Sequence, residues 1–148
     1  MDLFDQQKDI FGKVFLLANK LQIIGDAHLK EHDITIKQWF LITVISHFDD
    51  SPMITEVASM MGSSRQNVKQ LANKLQDRGF VTIEKDRQDS RILRLKLTTK
   101  NEVFWSETAE KDRDFILTLF KGLSIDEITH MYSGINKVLE QIDYIEKN

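Results

Sequence analysis

The hydrophobic period of the chain changes at Gly79, and this change restricts the folds that the chain can adopt. Before Gly79, apolar residues recur at the three- and four-residue steps of a helix that buries one face: Val68, Leu71, Ala72 and Leu75. After Gly79, the segments FVTIEK and ILRLKL alternate apolar and polar residues, as strands do, around the polar loop DRQDSR. A helix followed directly by a hairpin with a charged tip predicts a winged helix, in a mainly α fold with a small β wing.

A second, shorter helix is predicted just before the one that ends at Gly79. It runs from about Ile54 to Met61 and ends at Gly62, because glycine readily adopts the left-handed conformation that closes a helix. Ser63 or Ser64 then caps the next helix, and Ser63 with Gln66 has the spacing of a capping box. Two helices joined by only Gly-Ser-Ser are typical of a helix-turn-helix.

The amino-terminal part of the chain predicts two helices of different character. In the first, apolar residues recur at alternating steps of four and three, which makes a long amphipathic helix: Ile10, Val14, Leu17, Leu21 and Ile24. Thr35 with Gln38 forms a capping box ahead of WFLITVISHF, which is almost wholly apolar. We therefore expect this second helix to be buried and to stop at the turn DDSP.

The carboxyl-terminal part predicts two further helices. Thr99 with Glu102, and Ser124 with Glu127, both have the S/T-x-x-E spacing of a capping box. The last helix carries a long apolar stripe between Ile125 and Ile145. Packed with the first helix and with the same pair from a second chain, it would form a dimerisation bundle. We expect one structural domain overall, with dimerisation helices in 1–34 and 99–148 and a winged helix-turn-helix lobe in 35–98.

Charge is distributed unevenly along the chain. The segment Ser63–Thr98 holds nine of the 20 Lys and Arg residues but only four of the 23 acidic residues, a net charge of +5 in a chain of net charge −3. This asymmetry predicts a face that binds a polyanion. The chain has no cysteine, which excludes a disulfide framework, a thiolate metal site and a thiol redox sensor. No apolar run approaches the roughly 20 residues of a membrane span, so we expect a cytoplasmic protein with no membrane partner.

These motifs together resemble the MarR family of bacterial winged-helix transcription regulators, over nearly the whole chain. The resemblance lies in the G-S-S-R-Q-N-V start and N-K-L-Q-D-R-G-F end of the helix that ends at Gly79, in a D-x-x-D-x-R wing tip, and in the L-x-L-T exit. Asp86, Asp89 and Arg91 match the acids and final arginine of the family's wing. The tip departs from the family pattern at Arg87, where proline is common, and at Gln88 and Ser90, where many members carry arginine.

The resemblance implies a homodimer that binds a pseudo-palindromic double-stranded DNA operator, usually as a repressor. It also implies that a small anionic or phenolic effector releases the DNA by binding between the wing-bearing lobe and the dimer helices. An apolar gap lined by Trp39, Phe40 and Phe104 or Trp105 is the candidate effector site, although these aromatic residues suit an ordinary core better.

The predicted DNA-binding site combines the helix that ends at Gly79 with the wing. A serine-capped helix offers free amide groups to a phosphate, and Gln and Asn side chains match the base edges of the major groove. Arg side chains on the wing suit the backbone and the minor groove, and we expect Asp89 to orient Arg91 by an ion pair. The predicted DNA-binding residues are Ser63, Ser64, Arg65, Gln66, Asn67, Lys69, Gln70, Asn73, Lys74, Arg87, Gln88, Asp89, Ser90 and Arg91.

Other classes of function are less well supported by the sequence. A winged helix can dock to protein instead of DNA. His28 and His32 stand at i and i+4, the spacing by which one helix face offers two metal ligands, so a metal-sensing regulator is a further alternative. The chain lacks a G-x-S-x-G elbow, a P-loop, a dinucleotide fingerprint and a cysteine nucleophile, so we expect no enzyme activity and no cofactor.

Overall fold

A computed structural model describes all 148 residues as six α-helices and one two-stranded antiparallel sheet. In chain order the elements are α1 (Leu3–Leu29), α2 (Ile36–Ser46), α3 (Ile54–Met61), α4 (Arg65–Asp77), β1 (Val81–Lys85), β2 (Leu93–Leu97), α5 (Thr99–Leu119) and α6 (Ile125–Lys147). A single 3-10 turn, Lys30–His32, follows α1. The predicted mainly α fold with a small β wing is confirmed. The chain divides into two compact units, residues 1–106 and 107–148, and the boundary lies inside α5.

The first unit has one apolar core, to which α2, α3, α4 and the sheet all contribute. The α2 helix buries four apolar side chains on more than one side, which confirms that it is the buried helix of this unit. The α4 helix buries only the positions that recur at helical steps. The most completely buried side chains of the core are Leu41, Ile54, Val57, Val68, Ala72, Leu75, Phe80, Val81 and Leu95.

The long helix α1 joins this core near its carboxyl-terminal end, where Gly25 and Leu29 are its buried residues. A Cβ atom on Gly25 would lie 2.7 Å from Cγ1 and Cδ1 of Ile36, so the backbone of α1 approaches the first residue of α2 closely. The Ile36 amide also donates a 2.7 Å hydrogen bond to Oδ1 of Asp26. These two contacts fix the position at which α1 meets α2.

Of the two serines predicted to cap α4, only Ser64 does so. The Ser63 amide donates to the Ala58 carbonyl at 3.0 Å and so closes the preceding helix α3. Ser64 is the N-cap of α4, and its Oγ accepts a 3.1 Å hydrogen bond from the Asn67 amide. The predicted Ser63–Gln66 capping box is therefore wrong, because Ser63 is already committed to the end of the helix before it.

The other predicted helix ends are found in the structure, with one further exception at the start of α5. The α3 helix ends at Gly62, whose φ of 63° is the predicted left-handed conformation. The predicted capping boxes Thr35–Gln38 and Ser124–Glu127 are present. At α5, however, Oγ1 of Thr98 accepts from the Asn101 amide at 3.2 Å, so Thr98 caps the helix and the predicted Thr99–Glu102 box is wrong.

The wing is a hairpin with a third segment beside it. Strands β1 and β2 pair antiparallel, with Val81 opposite Leu97 and Lys85 opposite Leu93. On the other side of β2, the Leu95 amide donates to the Pro52 carbonyl at 2.9 Å, next to an isolated bridge between Met53 and Arg94. The residues just before α3 therefore extend the sheet, which holds the wing against the helix-turn-helix.

The second unit, residues 107–148, contains the end of α5 and the whole of α6, and it leaves most of its apolar side chains in solvent. Every residue of α6 is exposed in the single chain, including Ile125 at 83%. The exposed apolar residues of this unit are Ile116, Leu117, Leu119, Ile125, Ile128, Met131, Tyr132, Ile135, Val138, Leu139, Ile142, Tyr144 and Ile145. None of the helices in the chain combines the length and the apolar character that crossing a membrane requires.

Candidate nucleic-acid interface

Helix α4 separates its side chains cleanly into a buried face and a polar face. Val68, Ala72 and Leu75 are completely buried, at steps of four and three residues. The opposite face presents most of the predicted DNA-binding residues to solvent: Arg65, Gln66, Asn67, Lys69, Gln70, Asn73 and Lys74. The buried face holds the helix in the core, so the polar face has no structural partner and is available for a ligand.

The amino-terminal end of α4 suits an anion. Ser64 is exposed, and its Oγ satisfies the Asn67 amide, while the other amides of the first turn have no carbonyl partner within the helix. The partial positive charge at a helix amino terminus attracts phosphate oxygens. Arg65 lies in the same first turn and adds a full positive charge. Ser63, by contrast, is half-buried and serves the end of α3.

Asp86 organises the wing tip. Its Oδ2 accepts hydrogen bonds from the amides of Gln88 (3.1 Å) and Asp89 (3.0 Å), which shapes the tight turn. Its Oδ1 accepts from Nε of Arg94 at 2.6 Å, and Arg94 in turn donates to the Ser51 carbonyl at 2.8 Å. The hydrogen bond from Arg94, followed by those from the two amides, holds the pKa of Asp86 below its ordinary range. This network ties the tip to β2 and to the segment before α3.

Asp89 and Arg91 form a bidentate ion pair, as the sequence predicted. Oδ1 of Asp89 accepts from Nε of Arg91 and Oδ2 accepts from its second guanidinium nitrogen, both at 3.0 Å. The Arg91 amide donates to the same carboxylate. The guanidinium lowers the pKa of Asp89, and the carboxylate raises the pKa of Arg91. The Arg91 side chain is 89% exposed, so the pair aims a guanidinium outward without burying it.

Arg87 is the arginine of the tip that has no carboxylate partner. Gln88 and Ser90 are exposed beside it, at the positions where the chain departs from the family pattern. Each of the two tip carboxylates already binds another arginine, because Asp86 pairs with Arg94 and Asp89 with Arg91. The charge of Arg87 is therefore the least compensated charge at the tip.

The helix and the wing lie in the same compact unit and are joined directly. The Ile83 amide of β1 donates to Oε1 of Gln76 at 2.7 Å, next to the end of α4. Sequence reasoning missed Arg94 and Ser51, which brace the wing, since their contact joins positions 43 residues apart. A local signal for Arg94 does exist, because it lies opposite Glu84 in an alternating strand.

His28 and His32 do not belong to a cluster of three potential metal ligands. His32 packs edge-on against the ring of Phe104 at 4.9 Å, and its Nε2 lies 3.2 Å from the Glu31 carboxylate. The structure contains no group of three or more His, Asp or Glu side chains arranged to hold a metal ion. The aromatic residues of the candidate effector gap mostly serve the core: Trp39, Phe104 and Trp105 pack against it, and Phe40 is 40% exposed.

A capped helix with a polar face, a short joint to a preceding helix and a braced hairpin define a winged helix-turn-helix protein. The chain matches the family model of the MarR family over residues 32–92. It is 30% identical over 108 residues to the transcriptional repressor MprA of Escherichia coli, a match that covers 73% of this chain and 61% of that protein. The chain thus spans about three fifths of the length of that curated relative.

Two more comparisons extend over most of the chain. The transcriptional activatory protein BadR of Rhodopseudomonas palustris is 22% identical over 140 residues, which are 93% of this chain and 80% of that protein. The crystal structure of a mutant MarR from E. coli, complexed with operator DNA, superposes with a TM-score of 0.79 at 21% identity, covering 94% of this chain and 99% of that one. The fold is therefore shared along the chain. The relatives are transcription regulators rather than enzymes, as the sequence predicted for this chain.

Proposed function

We propose that the protein is a sequence-specific double-stranded DNA-binding transcription regulator that acts as a homodimer on a pseudo-palindromic operator. The observation that carries the proposal is the division of α4, which anchors three side chains in the core and turns its amide and cationic side chains outward from a capped amino terminus. The structural relative that was crystallised with operator DNA shares this fold. That likeness supports a DNA partner here.

The polar face of α4 divides into two chemical roles. Gln66, Asn67, Gln70 and Asn73 carry both a donor and an acceptor, which is what bidentate pairing with a base edge requires. Lys69 and Lys74 carry compact charges that suit phosphate oxygens and give affinity without sequence preference. We therefore assign base reading to the amides and backbone contact to the lysines.

The wing supplies the second contact. We assign minor-groove contact to Arg91, which Asp89 holds by two hydrogen bonds, because an arginine in that groove responds to groove width more than to base identity. Arg87, whose charge is not compensated, adds attraction to the neighbouring phosphates. Arg91→Ala should weaken binding most where the flanking DNA is A·T-rich, and Asp89→Ala should have the same effect more weakly.

A homodimer accounts for the apolar surfaces that each unit leaves in solvent. On α1 the predicted stripe is exposed in the single chain except at Leu21, which is half-buried; Ile10 is 63% exposed and Ile24 is 40% exposed. The α6 helix exposes a comparable stripe from Ile125 to Ile145. Monomeric proteins rarely leave apolar patches of this extent in water. The proposed assembly covers both stripes by pairing two chains through their terminal helices.

We further propose that the protein represses transcription and that a small anionic or phenolic effector releases it from DNA. MprA is a transcriptional repressor, which supports repression here, although BadR is a transcriptional activatory protein. A promoter fused to the selected operator, transcribed in vitro with and without the protein, tests the direction. A panel of aromatic carboxylates and phenols added to the protein–DNA complex tests the release.

The test of DNA binding is selection from a randomised duplex library at two salt concentrations. The wild type should enrich one pseudo-palindrome. Gln66→Ala or Asn67→Ala should relax one symmetric pair of positions, because each bidentate pairing with a base edge is worth about 1–3 kcal/mol of discrimination. Lys69→Ala and Lys74→Ala should weaken all sequences alike and reduce the salt slope by about one unit each.

Two results would contradict this assignment. No enrichment, together with binding that does not depend on salt, would favour the alternative in which the winged helix docks to protein. Loss of sequence preference in Lys69→Ala, with the preference kept in Gln66→Ala and Asn67→Ala, would show that the faces of α4 have been assigned to the wrong ligands.

A further inference from the structure

Arg78 links the end of α4 to the end of the long helix α1, across 45 residues of sequence. One guanidinium nitrogen donates to the Asp33 carbonyl and the other donates to the His32 carbonyl at 2.8 Å. Both acceptors lie where the 3-10 turn after α1 closes, and Asp33 has a left-handed φ of 55° there. The guanidinium thus supplies donors to carbonyl groups at a helix carboxyl terminus, where a positive charge is favourable.

The same arginine is held in place from its other side. Its guanidinium lies 5.3 Å from the centre of the Phe80 ring, and Phe80 is 1% exposed. Lys100, in the first turn of α5, donates to the Arg78 carbonyl and lies 5.1 Å from the centre of the same ring. A cation at this distance from an aromatic ring is attracted by the ring's electrons. Arg78 therefore links the end of α4 to the end of α1, and its side chain lies away from the polar face of α4.

The joint that Arg78 spans is held both by apolar packing and by directional polar contacts. The core holds α4 through Val68, Ala72 and Leu75, but apolar packing is non-directional and tolerates small rotations. A second directional contact at this end of α1 is the hydrogen bond from the Ile36 amide to Asp26. Polar contacts of this kind restrict the angle between α1 and the lobe that carries α4.

In the proposed dimer, the angle between α1 and the lobe determines the distance along the DNA between the two α4 helices. At a rise of about 1.5 Å per residue, the 27 residues of α1 form a helix about 40 Å long. A tilt of about 10° displaces a point about 20 Å from the joint by about 3.5 Å, close to one base-pair step. A loose joint would let the two α4 helices of a dimer fit half-sites at more than one separation.

We propose that Arg78 is a positioning residue that sets the half-site spacing which the protein accepts, without itself reading bases. The proposal rests on the proposed function, because it requires a dimer on a two-part operator. It goes beyond that function by assigning spacing selectivity to a side chain outside the DNA-facing surface. Amide side chains on α4 would choose the half-site sequence, and Arg78 would choose the separation.

The experiment measures the affinity of the full chain for the operator selected from the random library and for versions with one base pair inserted or removed between the half-sites. We expect the wild type to prefer the selected spacing by about tenfold or more, since a shifted half-site loses its register. Arg78→Ala should reduce that preference to about threefold or less while it keeps the half-site sequence preference. Lys74→Ala is the matched control from the same helix, and it should lower affinity at all spacings equally.

Arg78→Lys keeps the charge and the aliphatic stem but lacks the two-pronged guanidinium, so it should give an intermediate spacing preference. It also decides the outcome if Arg78→Ala fails to fold, which circular dichroism would reveal. An unchanged spacing preference in a folded Arg78→Ala overturns the proposal. If Arg78→Ala does not fold, an unchanged spacing preference in Arg78→Lys overturns it. Failure of the wild type to select any operator would instead refute the proposed function, so the two failures are distinguishable.

Discussion

Replacing Gly25 with alanine should destabilise the protein, although alanine favours helix. Gly25 lies inside α1 and is buried, and a Cβ atom there would meet Cδ1 and Cγ1 of Ile36 at 2.7 Å and its Cβ at 3.1 Å. The two γ and δ atoms can move only by a change of rotamer, and the Cβ atom of Ile36 is fixed by the backbone of α2. Overpacking of this kind costs about 1–3 kcal/mol, against a gain of about 1 kcal/mol in helix propensity.

Gly12→Ala is the matched control in the same helix. A Cβ atom at Gly12 would have nothing within 4 Å, and at about 100° per residue position 12 points about 200° away from Ile10 and its apolar stripe. Gly12→Ala should therefore stabilise the protein by about 0.5–1 kcal/mol. The propensity gain is common to both variants, so the difference between them isolates the steric contact and should be about 1–3 kcal/mol.

The assay is urea unfolding followed by circular dichroism at one fixed protein concentration, because the stability of a dimer depends on concentration. The double variant Gly25→Ala/Ile36→Ala completes the cycle. Removing Cγ1 and Cδ1 of Ile36 should abolish most of the penalty at Gly25. Equal unfolding free energies for Gly25→Ala and Gly12→Ala, within about 0.5 kcal/mol, would refute the close approach of α1 and α2.

Other substitutions and titrations test the helix caps, the wing and the apolar surface. Ser64→Ala should lower the unfolding free energy by about 1 kcal/mol because the α4 cap is removed, whereas Ser63→Ala should change it by at most about 0.3 kcal/mol. A larger loss for Ser63→Ala than for Ser64→Ala in urea unfolding would support the Ser63–Gln66 capping box instead. Because the pKa values of Asp86 and Asp89 are lowered from 3.8, their ion pairs should stabilise the wing at all pH values above about 4 and lose that effect as the pH falls through the lowered pKa values. Carboxyl NMR titration should give midpoints below 3.8 for both groups, and midpoints at or above it would show that the pairs do not persist in solution. Ile135→Lys, on the exposed apolar stripe of α6, should convert a dimer into a monomer in light scattering, while Ser133→Lys, about 200° away on the same helix, should not.

The sequence determined the features that depend on neighbours within a few positions. Periodicity set the helices and the wing, and it placed Val68, Ala72 and Leu75 on the buried face of α4. The ion pair of Asp89 and Arg91 was also predictable, since a single residue separates the partners and a tight turn brings their side chains together. These features rest on local geometry, which the backbone repeats impose wherever the pattern occurs.

Only the tertiary structure decided the contacts between distant segments. Periodicity cannot show that Ser63 serves the end of α3, because a serine in either of two adjacent positions can cap a helix and the path of the preceding turn makes the choice. Nor can it show that Arg94 reaches Ser51 or that Arg78 reaches His32, since a cation in a charged segment has many possible acceptors. Both arginine bonds form because packing of the shared core brings a carbonyl group within reach of a side chain 43 or 46 residues away along the chain.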